Sequence, residues 1–368
     1  MCMDARGQMF KQRGVTLVEM MVALVISMLI SLAAIQLFLA SSQSYRLHEA
    51  LSRTQENSRF AIRELQYEGR MAGYTGCASE IVSWLNTGKA GYVDSLMGLH
   101  AITGWEAAGT APGSTLDLTS GSTGAQDWIN GTGDALPDGV TPIPGTDVLV
   151  VNRAVEVPVA MQGNPGGPAN VLLLGSGAEQ LNAGDKVIAV LSDCSGGELW
   201  QVHGAVNGNR LTKISGGAAP GNSAAAGQAF KFPYDDQATL YVWENRIYFI
   251  RANASTGEPG LYLRRVVGSG SGRVDEIVEG VEQMQVLYGI DTSGDGYADQ
   301  YETAASVNDW NDVVSIRTAL LLRSDPGAAT VSNTEPRYNL IGTQLIAPDD
   351  RRLRRIATIT IALRNRLE

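Results

Sequence analysis

From Val15 to Ala40 the chain is apolar almost throughout. VTLVEMMVALVISMLISLAAIQLFLA holds 26 residues and one charge, Glu19. At about 1.5 Å per residue this run is roughly 39 Å long as a helix, enough to cross a hydrocarbon core of about 30 Å. Past Ser41 the pattern changes while the period stays helical. Leu47, Leu51, Thr54, Ser58, Ala61, Ile62 and Leu65 recur three and four apart, a narrow and weakly apolar stripe. Arg46, Glu49, Arg53, Glu56, Arg59, Arg63 and Glu64 occupy the other faces, and no proline or glycine intervenes before Gly69. The pattern predicts one helix over 15–72, with residues 15–40 in lipid, the second half on a body, and Gly73 as its stop.

The period then shortens to two. DVLVV (147–151), VLLL (171–174) and KVIAVL (186–191) are short branched runs bounded by Gly, Pro and Asn. ATLYVWE (238–244) and RIYFIR (246–251) flank Asn245 and predict a tight hairpin there. LYLRRVV (261–267), VEQMQVLYGI (281–290) and VVSIRTALLLR (313–323) extend the β pattern. In IATITIALR (356–364), Ile359, Ile361 and Leu363 share one face and Thr358, Thr360 and Ala362 the other. Residues 79–145, rich in Gly, Ser, Thr and Pro around Trp84, Tyr92, Trp105 and Trp128, predict long loops with few regular elements. The fold class is α+β: a long N-terminal helix packed on an antiparallel, β-rich body (73–368) of two sheets, with long loops.

Composition agrees with this division. The chain has 368 residues, room for one large or two modest domains, and its 42 glycines favour loops and strands. A net charge of −10 removes any general electrostatic reason to hold nucleic acid.

Candidate chemistry begins at the amino terminus. A secretory signal carries an apolar stretch of roughly 7–15 residues and a small-residue exit. This stretch is longer and places its glycine, Gly14, ahead of the apolar run, behind Lys11 and Arg13. A simple anchor leaves Glu19 unexplained, because a carboxylate within a span costs a few kcal/mol, about 2.5–3.5 on insertion scales. Together Gly14, Val15 and Glu19 resemble the type IV pilin signal. That resemblance implies a leader of 1–14 cut after Gly14 by a prepilin peptidase, methylation of the new amino terminus at Val15, and Glu19 meeting a neighbouring subunit during assembly. Val15 stands where the family usually has phenylalanine. MAGYTGC (71–77) resembles the helix exit of PilW-type minor pilins. The same signal implies a body outside the cytoplasm. Cleavage would discard Cys2 and leave Cys77 and Cys194, either a disulfide pair or two unrelated buried thiols.

Asp291, Ser293, Asp295, Tyr297 (through its carbonyl), Asp299 and Glu302 fall at positions 1, 3, 5, 7, 9 and 12 of an EF-hand-like loop, with Gly296 at position 6. Calcium takes six to eight oxygens, so the spacing reads as one Ca2+ loop inserted in a β body; a solvated acidic turn is the alternative. Arg351, Arg352, Arg354 and Arg355 read as a solvated start to the last strand or as a docking patch for an acidic neighbour or lipid phosphates. His48, His100 and His203 are far apart, and no common catalytic or phosphate-binding motif occurs. The chain is expected not to be an enzyme.

The resemblance implies a minor pilin that sits in the inner membrane with its body in the periplasm and later joins the pilus, at its tip. Its partners would be other minor pilins, the major pilin, the inner-membrane assembly machinery and a tip adhesin. The implied role is to prime pilus assembly and so support twitching motility, adhesion or DNA uptake. A pseudopilin of type II secretion is the neighbouring reading. A membrane-anchored periplasmic enzyme or binding protein is the reading of another class.

Overall fold

The computed structural model describes residues 14–119, 127–159, 161–162, 170–175, 181, 187–202, 210–267, 272–328 and 336–366. Residues 1–13 of the leader (with Cys2, Lys11 and Arg13), His203 and residues 268–271 of the GSGSG run lie outside them.

One helix, α1 (Leu17–Met71), runs 55 residues without interruption, roughly 80 Å at about 1.5 Å per residue. It ends as the sequence predicts: Gly73 adopts φ +71, and its N–H donates to Asn152 O at 2.8 Å. A Cβ there would stand 2.8 Å from that of Ala101, so both conformation and space require glycine.

The body is mostly antiparallel, and among the described residues its strands form four sheets rather than two. The largest follows the order β1 (Ile81–Ser83), β9 (Gly196–Gln201), β8 (Ile188–Asp193), β11 (Thr239–Ala252), β5 (Val148–Glu156), β2 (Ile102–Ala107), β4 (Trp128–Ile129). Strand β12 (Pro259–Val267) also pairs with β11, and β13 (Arg273–Glu279) with β12. A second sheet orders β15 (Gln300–Glu302), β14 (Val281–Ile290), β16 (Val313–Arg323) and β19 (Arg354–Ala362). Two three-stranded sheets complete the set: β10 (Arg210–Thr212), β7 (Val171–Leu174), β6 (Met161–Gln162), and β17 (Arg337–Leu340), β18 (Thr343–Ile346), β3 (Thr115–Asp117).

Two expectations change. No hairpin turns at Asn245: β11 passes straight through it for 14 residues, holding β8 at one end and β12 at the other. Asn245 is buried, and its Nδ2 donates to Leu96 O at 2.6 Å and to Asn152 Oδ1 at 2.7 Å. A polar side chain with buried partners fits a strand interior as well as a turn. The 79–145 segment also contributes a core strand. Every residue of β2 is buried, and it pairs with β5 from Ile102 to Trp105. Its apolar positions alternate with Thr, Gly and Glu, which hid it in a polar stretch.

The main core lies where α1 meets the two larger sheets. Ala61 and Leu65 of the helix pack with Tyr248, Ile250, Met284, Tyr288, Ile316, Leu320 and Ile361. In β19 the odd positions turn inward as the alternation predicts: Ile361 and Leu363 are buried and Thr358, Thr360 and Ala362 exposed.

Candidate functional site

The amino-terminal segment is open. Nothing lies within 4 Å of a Cβ built on Gly14, and the large apolar side chains from Val15 to Leu39 are exposed. Thr16 caps the helix. Its Oγ1 accepts Glu19 N–H at 3.2 Å, while Glu19 Oε2 accepts Thr16 N–H at 3.1 Å and Thr16 Oγ1–H at 3.2 Å. This is a capping box, reciprocal satisfaction of two otherwise unpaired donors. Its T-x-x-E signature stands in the sequence at 16–19, and the reading of Glu19 as a carboxylate awaiting an external partner passed over it. The two serine hydroxyls of the apolar half are also satisfied within the helix: Ser27 Oγ donates to Leu24 O at 2.9 Å and Ser31 Oγ to Ser27 O at 2.7 Å. A helix whose side-chain hydroxyls and backbone are internally bonded meets the requirement for a lipid-crossing segment.

The second half docks through small groups. Ala50, Thr54, Ser58, Ala61, Leu65, Glu68 and Gly69 are buried, whereas Leu51, expected in the stripe, is exposed. Gly69 lets the helix lie on β19: a Cβ there would stand 3.0 Å from Ile361 Cγ2. Glu68, 1% exposed, is a buried charge the stripe did not announce. Its Oε1 lies 2.6 Å from Arg246 Nη1, and its Oε2 lies 3.2 Å from Arg153 Nη1 in a coulombic contact outside hydrogen-bond geometry. Arg246 Nε also meets Glu244 Oε1 at 2.5 Å. Burial raises the Glu68 pKa, and the two arginines oppose that shift. This two-arginine clamp ties the helix to β5 and β11.

Cys77, just past the helix exit, is disulfide-bonded to Cys194 in the turn between β8 and β9, 117 residues away. The loop-entropy argument gives such a crosslink up to about 5 kcal/mol.

The 291–302 loop connects β14 to β15, and Asp299 N–H donates to Ile290 O at 2.9 Å to close it. Strand β15 was not anticipated. Asp291 accepts the N–H groups of Gly294 at 2.6 Å, Gly296 at 2.7 Å and Ser293 at 3.1 Å. Asp299 Oδ2 accepts Thr292 Oγ1–H at 2.7 Å, Thr292 N–H at 2.8 Å and Ser293 N–H at 3.0 Å. Those donors hold both carboxyls below their usual range, Asp291 chiefly through Gly296 and Asp299 chiefly through Thr292. Asp295 accepts Tyr297 N–H at 2.9 Å, Glu302 accepts Gln300 Nε2–H at 2.8 Å, and Tyr297 is exposed. Among the described residues no three His, Cys, Asp or Glu side chains group as a metal would need.

The arginine cluster divides. Arg352 forks onto Glu258 (2.8 and 2.9 Å), and Arg354 reaches Glu282 and Asp350, both at 2.7 Å. These two are internal ties, not solvated charges. Arg351 and Arg355 remain exposed.

The first half of α1 is long and apolar enough to cross a membrane, and its second half is docked on the body. The prokaryotic N-terminal methylation motif matches residues 9–35. The family described as type IV pilus-assembly protein W matches residues 247–365, roughly a third of the chain, from within β11 to just beyond β19. Together they match a PilW-family type IV pilin, and in general terms a minor pilin of the type IV pilus. That family is a structural component of pilus assembly, and the matches imply prepilin-peptidase processing, membrane anchoring and association with other pilus components. No curated protein and no solved structure gives a significant match.

Proposed function

We propose that the protein is a minor pilin of a tip complex that primes pilus assembly, and so supports twitching motility, adhesion or DNA uptake. The observation carrying this reading is the division of α1. One half is clamped to the body, and the other offers a largely apolar surface that nothing among the described residues covers. Such a surface is stable in a bilayer or against other apolar helices, and assembly exchanges the first for the second. In this reading Gly14 and Val15 form the processing site. Glu19 leaves its bond to Thr16 N–H to meet a neighbouring subunit's amino terminus. The body stands in the periplasm before extraction and at the pilus tip afterwards. The family match over 247–365 favours a pilus over a secretion pseudopilus. Glu19→Ala tests the role: cleavage after Gly14, read by sequencing the mature amino terminus, should persist while pilus number and motility fall. Normal piliation in that variant would refute it.

We further propose that the 291–302 loop binds one Ca2+. The support is the donor spacing and the two carboxylates kept ionised by loop N–H groups. Binding requires Asp295 and Glu302 to turn from their present partners toward Asp291. Asp295→Ala should then lower the melting temperature in calcium and leave it unchanged in chelator. An equal shift in both conditions would remove the site.

A further inference from the structure

The body has two contrasting long edges. Strand β13 pairs only with β12, and its other side lies near α1, where Asn57 Nδ2 donates to Glu279 O at 3.1 Å. It is also studded with charge: Arg273, Asp275, Glu276 and Glu279. Charges on an edge are the usual protection against pairing with another chain. Strand β19 carries charge only at its start, Arg354 and Arg355. Among the described residues it pairs only with β16, over nine residues, and from Ile356 to Ala362 it is uncharged, with three exposed positions at Thr358, Thr360 and Ala362.

The phase of its hydrogen bonds follows from its ends. Leu363 N–H donates to Val314 O at 2.9 Å, and Leu353 O accepts Ser324 N–H at 2.9 Å. Odd positions therefore turn toward β16, and in an antiparallel pair the alternate residues turn away. Ile356, Thr358, Thr360 and Ala362 thus present N–H and C=O groups on the free side. Among the described residues no hydrogen bond reaches them. On its inner face the strand packs against α1, through Gly69 and Ile361, which ties the edge to the body's core.

Charge selects what fits. Arg355 and Arg364 are exposed at the two ends of this edge, with Arg351 just before it, in a protein of net charge −10. A second copy fits poorly: antiparallel pairing about Ile359 would bring the exposed Arg355 of one copy and Arg364 of the other to the same end of the ladder, with no acidic residue between them. We infer that β19 is a docking edge that takes an extended segment of another protein, one with an uncharged β-branched middle and acidic residues at both ends, as an added strand of the β14–β16–β19 sheet. Main-chain hydrogen bonds supply the affinity in such addition, and the flanking arginines supply the selectivity.

The test uses the full chain in detergent, amide hydrogen exchange resolved by residue, and two synthetic peptides. One carries Val-Thr-Val-Thr-Val between paired glutamates, the other the same middle between paired lysines. The acidic peptide should slow exchange at Ile356, Thr358, Thr360 and Ala362 at least tenfold, and the lysine peptide should not. Thr360→Pro, which removes a donor β16 does not use, should abolish the slowing. If that variant unfolds, Arg355→Glu with Arg364→Glu should reverse the preference between peptides. No slowing by either peptide, or equal slowing by both, overturns the inference. Slowing by the protein alone that grows with its concentration does so too, by making a second copy the occupant.

Discussion

The two halves of α1 obey the same backbone rules and answer to different surroundings. In residues 17–39 the large apolar side chains point outward all round, so the half is stable only where something else supplies an apolar medium. In residues 50–69 the contact face is built from Ala50, Thr54, Ser58, Ala61 and Gly69, with Leu65 as its buried large apolar anchor and Ile62 packed beside it. Small residues let the helix come close, and the specificity comes from a charge, Glu68, between Arg153 and Arg246. The difference teaches that length and hydropathy define the first half, whereas fit and pairing define the second.

Stability measurements would break or sharpen that contrast, in falling order of expected effect, with variants of the exposed half as controls. Glu68→Ala leaves two buried arginines, Arg153 and Arg246, to share the one carboxylate of Glu244, and should cost the body about 3–5 kcal/mol in chemical denaturation. Glu19→Ala should leave the same midpoint unmoved, and equal losses would erase the distinction. Cys194→Ser should cost about 2–5 kcal/mol by releasing the helix exit from the β8–β9 turn. Gly69→Val should cost about 1–3 kcal/mol by crowding Ile361. Ala34→Val, in the exposed half, should change nothing in the body.

The smallest effect concerns pH. Glu106 and Asp147 are buried together and hydrogen-bonded to each other. Burial, reinforced by the neighbouring Asp147, raises Glu106 from 4.5 to about 9; burial, opposed by the N–H groups of Ala107 and Val286, raises Asp147 from 3.8 to about 7. A raised carboxyl stabilises the fold fully below its unfolded value and loses that contribution as pH rises through the folded one. Body stability should therefore fall from about pH 5 toward 9. Glu106→Gln should flatten the slope, and an unchanged slope would show that the pair does not share a proton.

Much of this was legible beforehand. The apolar run, its polar continuation and the stop at Gly73 are local, and a helix period needs no partner to be read. Strands β5, β7, β8, β12, β14, β16 and β19 came through because alternation or a branched run between turn residues marks a strand wherever it packs. The box Thr16–Glu19 was equally local and was missed only because Glu19 was read in terms of a distant partner.

The sequence by itself determined the helix, its lipid-compatible half, seven of the nineteen strands among the described residues and the acidic loop, since each depends on neighbours within a few residues. Only the tertiary structure decided that Asn245 lies inside a strand, because its partners Leu96 and Asn152 are remote in the chain. The same holds for β2 within a polar stretch, for Glu68 between two arginines, and for the bond between Cys77 and Cys194. It also decided that β19 is an edge. A strand's pattern tells which face is buried, and only the arrangement of its neighbours tells whether its backbone has a partner on both sides.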